Sequence, residues 1–547
     1  MERIHGTGAS DGIAMGRVVL WHGCQANIEK YTIKDVPKEF ERLQKAQDDA
    51  VDVLNEIYLK SLKRVGKKDS MIFQIHMMMI QDEDYSQAIR NRIKENKVNA
   101  EYAVWETGQE FAARFAKMDS EYMRGRKTDI IDISDRLVKC LNPEYGSGKV
   151  VVNEPSILAA DDLTPSETMQ LDKSKIIAIV MRKGSRTSHS AILSRTMGIP
   201  SVVGLGDDFD GVKDGMAAVV DGTAGEVILE PDEAEQGKCQ QALEASRRKQ
   251  QELKSFLGAQ IKTKSGRIVA VNANIGHPED AETALKNGAD GIGLFRSEFL
   301  YMGRDSLPTE DEQFEAYKSV LEKMGNKPVI VRTFDIGADK QIPYLHLPKE
   351  ANPALGYRAI RICLDRKDLF RAQLRALVRA SAFGNLKIMF PMIISVEEVR
   401  EAKQMLQETK SELESEKISF AHDIKVGIMI ETPSSVVLSD ELAKECDFFS
   451  IGTNDLTQYT LAADRLNDKI AKIYDQSNPA VLKMIELTAK NAHKAGISVG
   501  ICGESAADPK LAEFYLKTGI DELSVAPPSV LGLKKTLKQA CEKSAAV

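Results

Sequence analysis

The sequence predicts a multidomain α/β protein: an α/β domain interrupted by an inserted helical bundle, followed by a C-terminal (β/α)8 TIM-type barrel. Three observations predict it. At 547 residues the chain exceeds what one hydrophobic core supports. Residues 32–141 carry apolar positions at three- and four-residue spacing, with proline nearly absent after Pro37, which is a helical pattern long enough for a bundle. Residues 259–547 alternate short apolar runs with helical stretches, the arithmetic of a (β/α)8 barrel.

The elements follow in order. "MERIHGTGASDGIAMGRVVLWH" opens the chain, rich in glycine and β-formers, and reads as a loop and strand. The helical block follows, in "EFERLQKAQDDAVDVLNEIYLKSLKRV" and "IFQIHMMMIQDEDYSQAIRNRIKEN". Strand-like text returns in "GKVVVNEPSILAADDLTPSETM", "KIIAIVMRKG", "IPSVVGLG" and "AAVVDGTAGEVILEP". The α/β domain therefore comprises residues 1–22 plus 145–230, with 23–144 inserted. The charged stretch "PDEAEQGKCQQALEASRRKQQELKSFLG" makes 231–258 a helical linker. In 259–547, strands fall at "RIVAVNANIG", "GADGIGLFRSE", "PVIVRTFDIG", "NLKIMFPM", "KVGIMIETP", "DFFSIGTND", "SVGICGES" and "DELSVAP". A doubly wound open sheet is the alternative, but neither GxGxxG nor a Walker A motif supports it.

Composition narrows the function. A net charge of −7 argues against a general nucleic-acid binder, which needs basic surface, and suits a basic protein partner. No apolar run approaches a membrane span and "MERIHGTGAS" lacks the apolar core of a signal peptide, so cytoplasmic is the expectation. The seven cysteines are scattered without a CxxC pair, against a disulfide framework or structural zinc.

Polar residues stand where barrel strands run out: Arg296, Arg332 and Asp335, Glu431, Asn454 and Asp455, and Cys502. Such positions project into the C-terminal mouth, where active sites of this fold lie. Glu431 and Asp455 suit a hard divalent ion such as Mg2+, which takes one or two protein carboxylates. Arg296, Arg332, Arg358 and Arg465 supply planar forks for phosphate and carboxylate. A small substrate carrying both anions fits this set, with Cys502 as the group suited to exchange a proton.

A second constellation lies outside the barrel. "RTSHSAILSRTMG" reads as a helix start, with Ser188 as N-cap, an apolar stripe of Ile192, Leu193 and Met197, and Gly198 as terminator. The helix dipole disfavours a protonated imidazole at His189 and stabilises an anion placed on it. Neutral imidazole is a nucleophile. His189 therefore reads as a phosphoryl acceptor, with Thr187, Ser188, Ser190 and Arg186 or Arg195 available to the phosphoryl oxygens.

The blocks "GSRTSHSAILSR", "GLFRSEFLYM", "LPTEDEQ", "VRTFDIGADK", "NPALGYRAIRI", "KVGIMIETPSS", "SIGTNDLTQYTLAADR" and "ICGES" together resemble the Enzyme I family, the phosphoenolpyruvate-protein phosphotransferases of the bacterial sugar phosphotransferase system. The likeness runs in order over essentially the whole chain. It implies a swivelling phosphohistidine domain in which His189 takes the phosphoryl group of phosphoenolpyruvate and passes it to the carrier protein HPr. It further implies Mg2+ on Glu431 and Asp455, and phosphoenolpyruvate on Arg296, Arg332, Arg358, Asn454 and Arg465. Cys502 would protonate the enolate, and Thr168 would orient His189, with Arg195 as further support. The inserted helices would dock HPr through Met78, Met79 and the acidic run 82–84 (Asp82, Glu83), although "HMMMI" reads equally well as core. The resemblance also implies a homodimer joined through the barrel. Ser185, Ala338 and Ala507 stand where the family leads one to expect glycine. Pyruvate phosphate dikinase and phosphoenolpyruvate synthase share both modules but need a large ATP-binding domain; a catalytically silent scaffold would have lost the chemical residues.

Overall fold

The computed structural model of the chain describes residues 1–547 except 22–27, 118–120, 143–151, 153, 173, 187, 303, 305, 338–341, 466 and 544–547. Of the residues named above, Thr187 and Ala338 lie outside the described set. The chain divides into two compact units, Met1–Arg248 and Lys249–Val547.

The first unit is built on a mixed sheet of eight strands: β1 (Glu2–His5), β2 (Thr7–Ser10), β3 (Ile13–Trp21), β4 (Ser156–Ala160), β5 (Ile176–Met181), β6 (Ser201–Val203), β7 (Ala217–Asp221) and β8 (Glu226–Leu229), in the order β1-β8-β7-β3-β4-β5-β6-β2. The opening residues thus form three strands where the sequence suggested a loop and one strand. β1 and β2 have four residues each, too short to display a period of two. Between β3 and β4 stand α1 (Val36–Ile80), α2 (Glu83–Asn96), α3 (Ala100–Ala116) and α4 (Glu121–Leu141). Asp35 caps α1 by accepting from Lys38 N–H, and Asp82 caps α2 by accepting from Tyr85 N–H. The apolar faces of α1–α4 meet in a core that includes Leu43, Phe73, Tyr85 and Ile133. α3 and α4 pack closely because Gly108 faces Ser134, whose Oγ would lie 2.2 Å from a Cβ there. Two further helices follow, α5 (Pro165–Gln170) and α6 (His189–Met197), and a third, α7 (Glu233–Lys254), spans the division between the units at Arg248.

The second unit is a closed barrel. After a short antiparallel strand, β9 (Ile261–Lys262), come β10 (Ile268–Ile275), β11 (Ile292–Arg296), β12 (Val329–Arg332), β13 (Leu386–Phe390), β14 (Lys425–Ile430), β15 (Phe448–Ile451), β16 (Ser498–Ile501) and β17 (Glu522–Val525). β10 through β17 are all parallel, and β10 pairs with both β11 and β17 to close the ring. All eight strands expected from the sequence are present, and the open-sheet alternative is excluded. Side chains alternate as the period of a strand requires. On β12, Val329 and Val331 join the layer beneath the helices, whereas Ile330 joins Leu294, Met389, Met429, Phe448 and Cys502 inside the barrel. That filled interior seals the barrel below its mouth.

Candidate functional site

The barrel mouth collects the strand-end residues. Arg296 and Arg332 end β11 and β12 and are register partners. Glu431 follows β14, Asn454 and Asp455 open the helix Thr453–Leu461 after β15, and Cys502 follows β16. Arg332, Arg358, Glu431, Asp455 and Cys502 are all buried, whereas Arg465 is exposed. Burying this much charge is costly unless it is paired.

The pairing converges on one carboxylate. Asp335 Oδ2 lies 2.8 Å from Arg332 Nη1, and Asp335 Oδ1 lies 2.8 Å from Arg358 Nη2. Arg332 also pairs with Glu298 through Nη2. Arg358 Nη2 is 3.8 Å from Asp455 Oδ2, and Arg465 Nη1 is 3.6 Å from Asp455 Oδ1. Burial opposes the charge of both buried arginines, but Asp335 with Glu298 and Glu431 holds Arg332 charged, and Asp335 with Asp455 holds Arg358 charged. Nε of each remains buried without a hydrogen-bond partner. Each of these guanidinium groups therefore keeps one buried N–H without a protein acceptor.

The carboxylates behave in the complementary way. Glu431 Oε1 accepts the Met392 N–H at 2.7 Å, an N–H aimed by a left-handed backbone at Met392, φ 58°. Burial, then the neighbouring Asp455 and Asp335, push Glu431 up to about 8. Asp455 Oδ1 is buried with no hydrogen-bond donor. Two hard oxygen donors that repel each other in a buried site fit a small divalent cation. Among the described residues, no three His, Cys, Asp or Glu side chains converge on a metal position; two carboxylates suit Mg2+, which leaves its other positions to substrate and water. Room for Glu431 depends on Gly452, where a Cβ would lie 2.9 Å from Glu431 Oε2 and 3.1 Å from Met429 Cγ.

Asn454 is held by both ends of its amide: Nδ2 donates to Glu504 Oε1, and Oδ1 accepts Glu504 N–H at 3.0 Å and Gln476 Nε2 at 3.2 Å. Cys502 lies against the apolar interior, with Sγ 3.6 Å from the Ile451 carbonyl. Burial pushes its thiol up to about 11, so it carries its proton at neutral pH. Tyr459 was missed by sequence reasoning. Its hydroxyl accepts from Arg358 Nη1 at 3.3 Å and donates to the Ala354 carbonyl, tying the Arg358 loop to the helix that bears Asp455.

In the first unit, α6 begins at His189 and ends at Gly198, which adopts φ 64° as a left-handed cap. Ser188 is the N-cap residue but forms no capping bond. Its hydroxyl donates instead to the Ser185 carbonyl at 2.9 Å. The His189 side chain is outside what the structure describes. Arg195 donates from Nε to the Ala9 carbonyl and from Nη2 to the Arg186 carbonyl, both at 2.9 Å, so it braces the loop that leads into α6. Thr168 is buried and donates to the Thr164 carbonyl of its own helix, α5, at 2.9 Å. At the α1–α2 corner Met78 is 70% exposed, while Met79 is partly buried against the bundle core; "HMMMI" is thus split between surface and core. Asp82 and Glu83 are exposed beside Met78. Neither Ser185 nor Ala507 has a positive φ, so neither backbone requires glycine.

Comparison with known proteins accounts for both units. Residues 5–126, 152–225 and 250–541 match the family descriptions "PEP-utilising enzyme, N-terminal", "PEP-utilising enzyme, mobile domain" and "PEP-utilising enzyme, PEP-binding domain". The fold and site therefore define a phosphoenolpyruvate-utilising enzyme. The chain is 45% identical to the phosphoenolpyruvate-protein phosphotransferase of Geobacillus stearothermophilus, over 100% of this chain and 94% of that protein. It is 43% identical to the phosphoenolpyruvate-protein phosphotransferase of Bacillus subtilis (strain 168), over 100% of this chain and 96% of that one. It belongs to the phosphoenolpyruvate-protein phosphotransferase family.

Proposed function

We propose that the chain transfers the phosphoryl group of phosphoenolpyruvate to its own His189 and then to a histidine of HPr, releasing pyruvate at the entry of the sugar phosphotransferase system. The observation that carries this reading is the mouth itself. Buried arginines with unpartnered Nε edges lie among two carboxylates and a protonated thiol, on a floor of apolar side chains. Arg296, Arg332, Arg358, Arg465 and Asn454 bind the phosphate and carboxylate of the substrate. A Mg2+ ion held by Glu431 and Asp455 would supply charge neutralisation for the substrate oxygens.

The bond from phosphorus to the enol oxygen breaks as the bond from phosphorus to the His189 imidazole forms. The electron pair left on the enolate takes a proton at C3 from the Cys502 thiol, which then regains one from solvent. Positioning and charge neutralisation dominate such a transfer, and a thiol that holds its proton at neutral pH is the right starting state for an acid. Thr168 and Arg195 fix the α6 environment of His189. The phosphoryl group then leaves for HPr, docked on the inserted helices near Met78, Asp82 and Glu83, with Met79 supporting that surface from beneath.

The layout follows: a phosphohistidine domain of 1–22 plus 145–230, an HPr-binding insertion of 23–144, a helical linker of 231–258, and a substrate-binding and dimerisation barrel of 259–547. Dimerisation through the barrel is supported by an exposed apolar face. Leu355 (65% exposed) and Ile394 (37%) line one cavity of about 650 Å³ with Pro433. Val437 (66%) ends the adjoining helix Pro433–Val437. Such a patch marks an interaction site. No helix among the described residues is long and apolar enough to cross a membrane, in keeping with a cytoplasmic enzyme.

The test is incubation with Mg2+ and phosphoenolpyruvate labelled in the phosphate, with and without HPr, alongside His189→Ala. The expected result is acid-labile label on the wild type that moves to HPr and is absent from the variant. Absence of label from metal-loaded wild type would refute the reading.

A further inference from the structure

Behind the mouth, one fully buried polar side chain has no part in the chemistry above. Gln373 lies on the helix Lys367–Ala380 and is 0% exposed. Its Oε1 accepts the Phe334 N–H at 2.8 Å, and its Nε2 donates to Ser297 Oγ and to Tyr317 Oη, each at 3.0 Å. A backbone N–H can only donate, so the amide oxygen must face Phe334. Both Nε2 hydrogens then have acceptors, and the amide is fixed in one orientation.

Each contact falls beside a residue of the site. Phe334 lies between Arg332 and Asp335 in the chain, and Ser297 lies between Arg296 and Glu298. β11 and β12 end at Arg296 and Arg332, after which neither segment has a strand ladder to hold it. Thr333 N–H donates to the Met389 carbonyl, and the Arg332–Glu298 ion pair joins the two segments through their side chains; the Gln373 amide adds a second link, bonding to the Phe334 backbone and to Ser297. The network behind it is equally closed. Tyr317 Oη donates to Gln313 Oε1 at 3.2 Å, which also accepts from Tyr301 Oη at 3.0 Å. Both tyrosines are buried, so this support does not compete with water.

We infer that Gln373 is a positioning residue that holds the Arg296–Glu298 and Arg332–Asp335 segments at one spacing and so helps set the separation of Arg296 and Arg332, two of the four arginines that bind the substrate. The inference rests on the proposed reading of the mouth as the phosphoenolpyruvate site. It acts on affinity for a doubly anionic substrate, because a bidentate clamp loses much of its grip when its jaws drift. It leaves Cys502 and the chemistry of His189 untouched.

The test uses the full chain carrying Gln373→Met, which keeps the length and removes every hydrogen bond. Tyr317→Phe removes the hydroxyl's bonds to Gln373 and Gln313 and leaves the link from Gln373 to Ser297. Gln373→Glu restores an oxygen for Phe334 N–H. Pyruvate release is measured against phosphoenolpyruvate with saturating Mg2+ and HPr. Rates are normalised to the active fraction, taken as the protein whose barrel unit is folded, as measured by denaturant unfolding; acceptance of phosphate from phospho-HPr, which does not use the barrel mouth, checks the first unit separately. The expected result is a KM raised about tenfold or more in Gln373→Met, with kcat per active molecule within about threefold of wild type. Gln373→Glu recovers part of the KM, and Tyr317→Phe shifts it less. A wild-type KM in Gln373→Met overturns the inference, as does a loss confined to the active fraction, which would make the role purely structural. Wild type that releases no pyruvate would instead remove the substrate reading on which it stands.

Discussion

Asp335 gives one carboxylate oxygen to each of two buried arginines, 2.8 Å from Arg332 Nη1 and 2.8 Å from Arg358 Nη2. One guanidinium group comes from the end of β12 and the other from the segment before the helix Ile360–Asp365, and the shared acid is what brings them together. Removing one partner of a buried ion pair leaves uncompensated charge, at a cost of about 3–5 kcal/mol. Asp335→Ala is therefore expected to lower the stability of the barrel unit by about that amount and to weaken substrate binding. Denaturant unfolding and the KM for phosphoenolpyruvate check the two effects separately.

Gly452 makes room for the Glu431 carboxylate. Its φ is −86°, a value any residue adopts, so Gly452→Ala introduces no backbone strain, only a methyl group in the space occupied by Glu431 Oε2. The expected outcome is a near-normal fold with Mg2+-dependent turnover reduced on the order of a hundredfold. Circular dichroism and Mg2+ titration of activity distinguish this from unfolding.

Much of this was legible in the sequence, for a physical reason. Parallel strands buried on both faces read as apolar runs, and a polar residue ending such a run is conspicuous, so Arg296, Arg332, Glu431, Asp455 and Cys502 could all be found. What could not be read were the partners. Gln373 and Tyr317 sit among apolar neighbours on helices and look like ordinary amphipathic positions. Only the closed barrel brings them to Ser297 and Phe334. Tyr459 and the left-handed Met392 carry no local signal either. At the α6 start the pattern located the Ser188 cap, but the competing Ser185 carbonyl, 2.9 Å away, took its hydroxyl.

Cys502 is expected to separate two steps. Cys502→Ser replaces the proton donor with a hydroxyl far less acidic than a thiol, so phosphorylation of His189 should persist while pyruvate release slows by about 10²–10⁴. Rapid-quench measurement of protein-bound phosphate beside released pyruvate checks it. Equal slowing of both would assign Cys502 to the transfer itself.

In the first unit, burial, then Asp132 and Glu167 against Lys139, push Asp135 up to about 7. The folded state thus holds a proton there that the unfolded state has already lost. The contribution of Asp135 to stability is most favourable below the ordinary carboxylate pKa and declines as pH rises toward about 7. Asp135→Asn removes this dependence. The variant should match wild type near pH 4 and exceed it at pH 8 by about 2–4 kcal/mol, given roughly 1.4 kcal/mol per pKa unit. Chemical denaturation at the two pH values checks the sign.

The central claim is that a phosphoryl group bound in the barrel mouth ends on one histidine of the other unit. The most direct measurement is mass-spectrometric mapping of the phosphate after incubation with phosphoenolpyruvate and Mg2+, under neutral conditions that preserve phosphohistidine. The account predicts a single acid-labile phosphate on His189, abolished by Glu431→Gln. Phosphate on another residue, or none on protein that binds phosphoenolpyruvate, would contradict it.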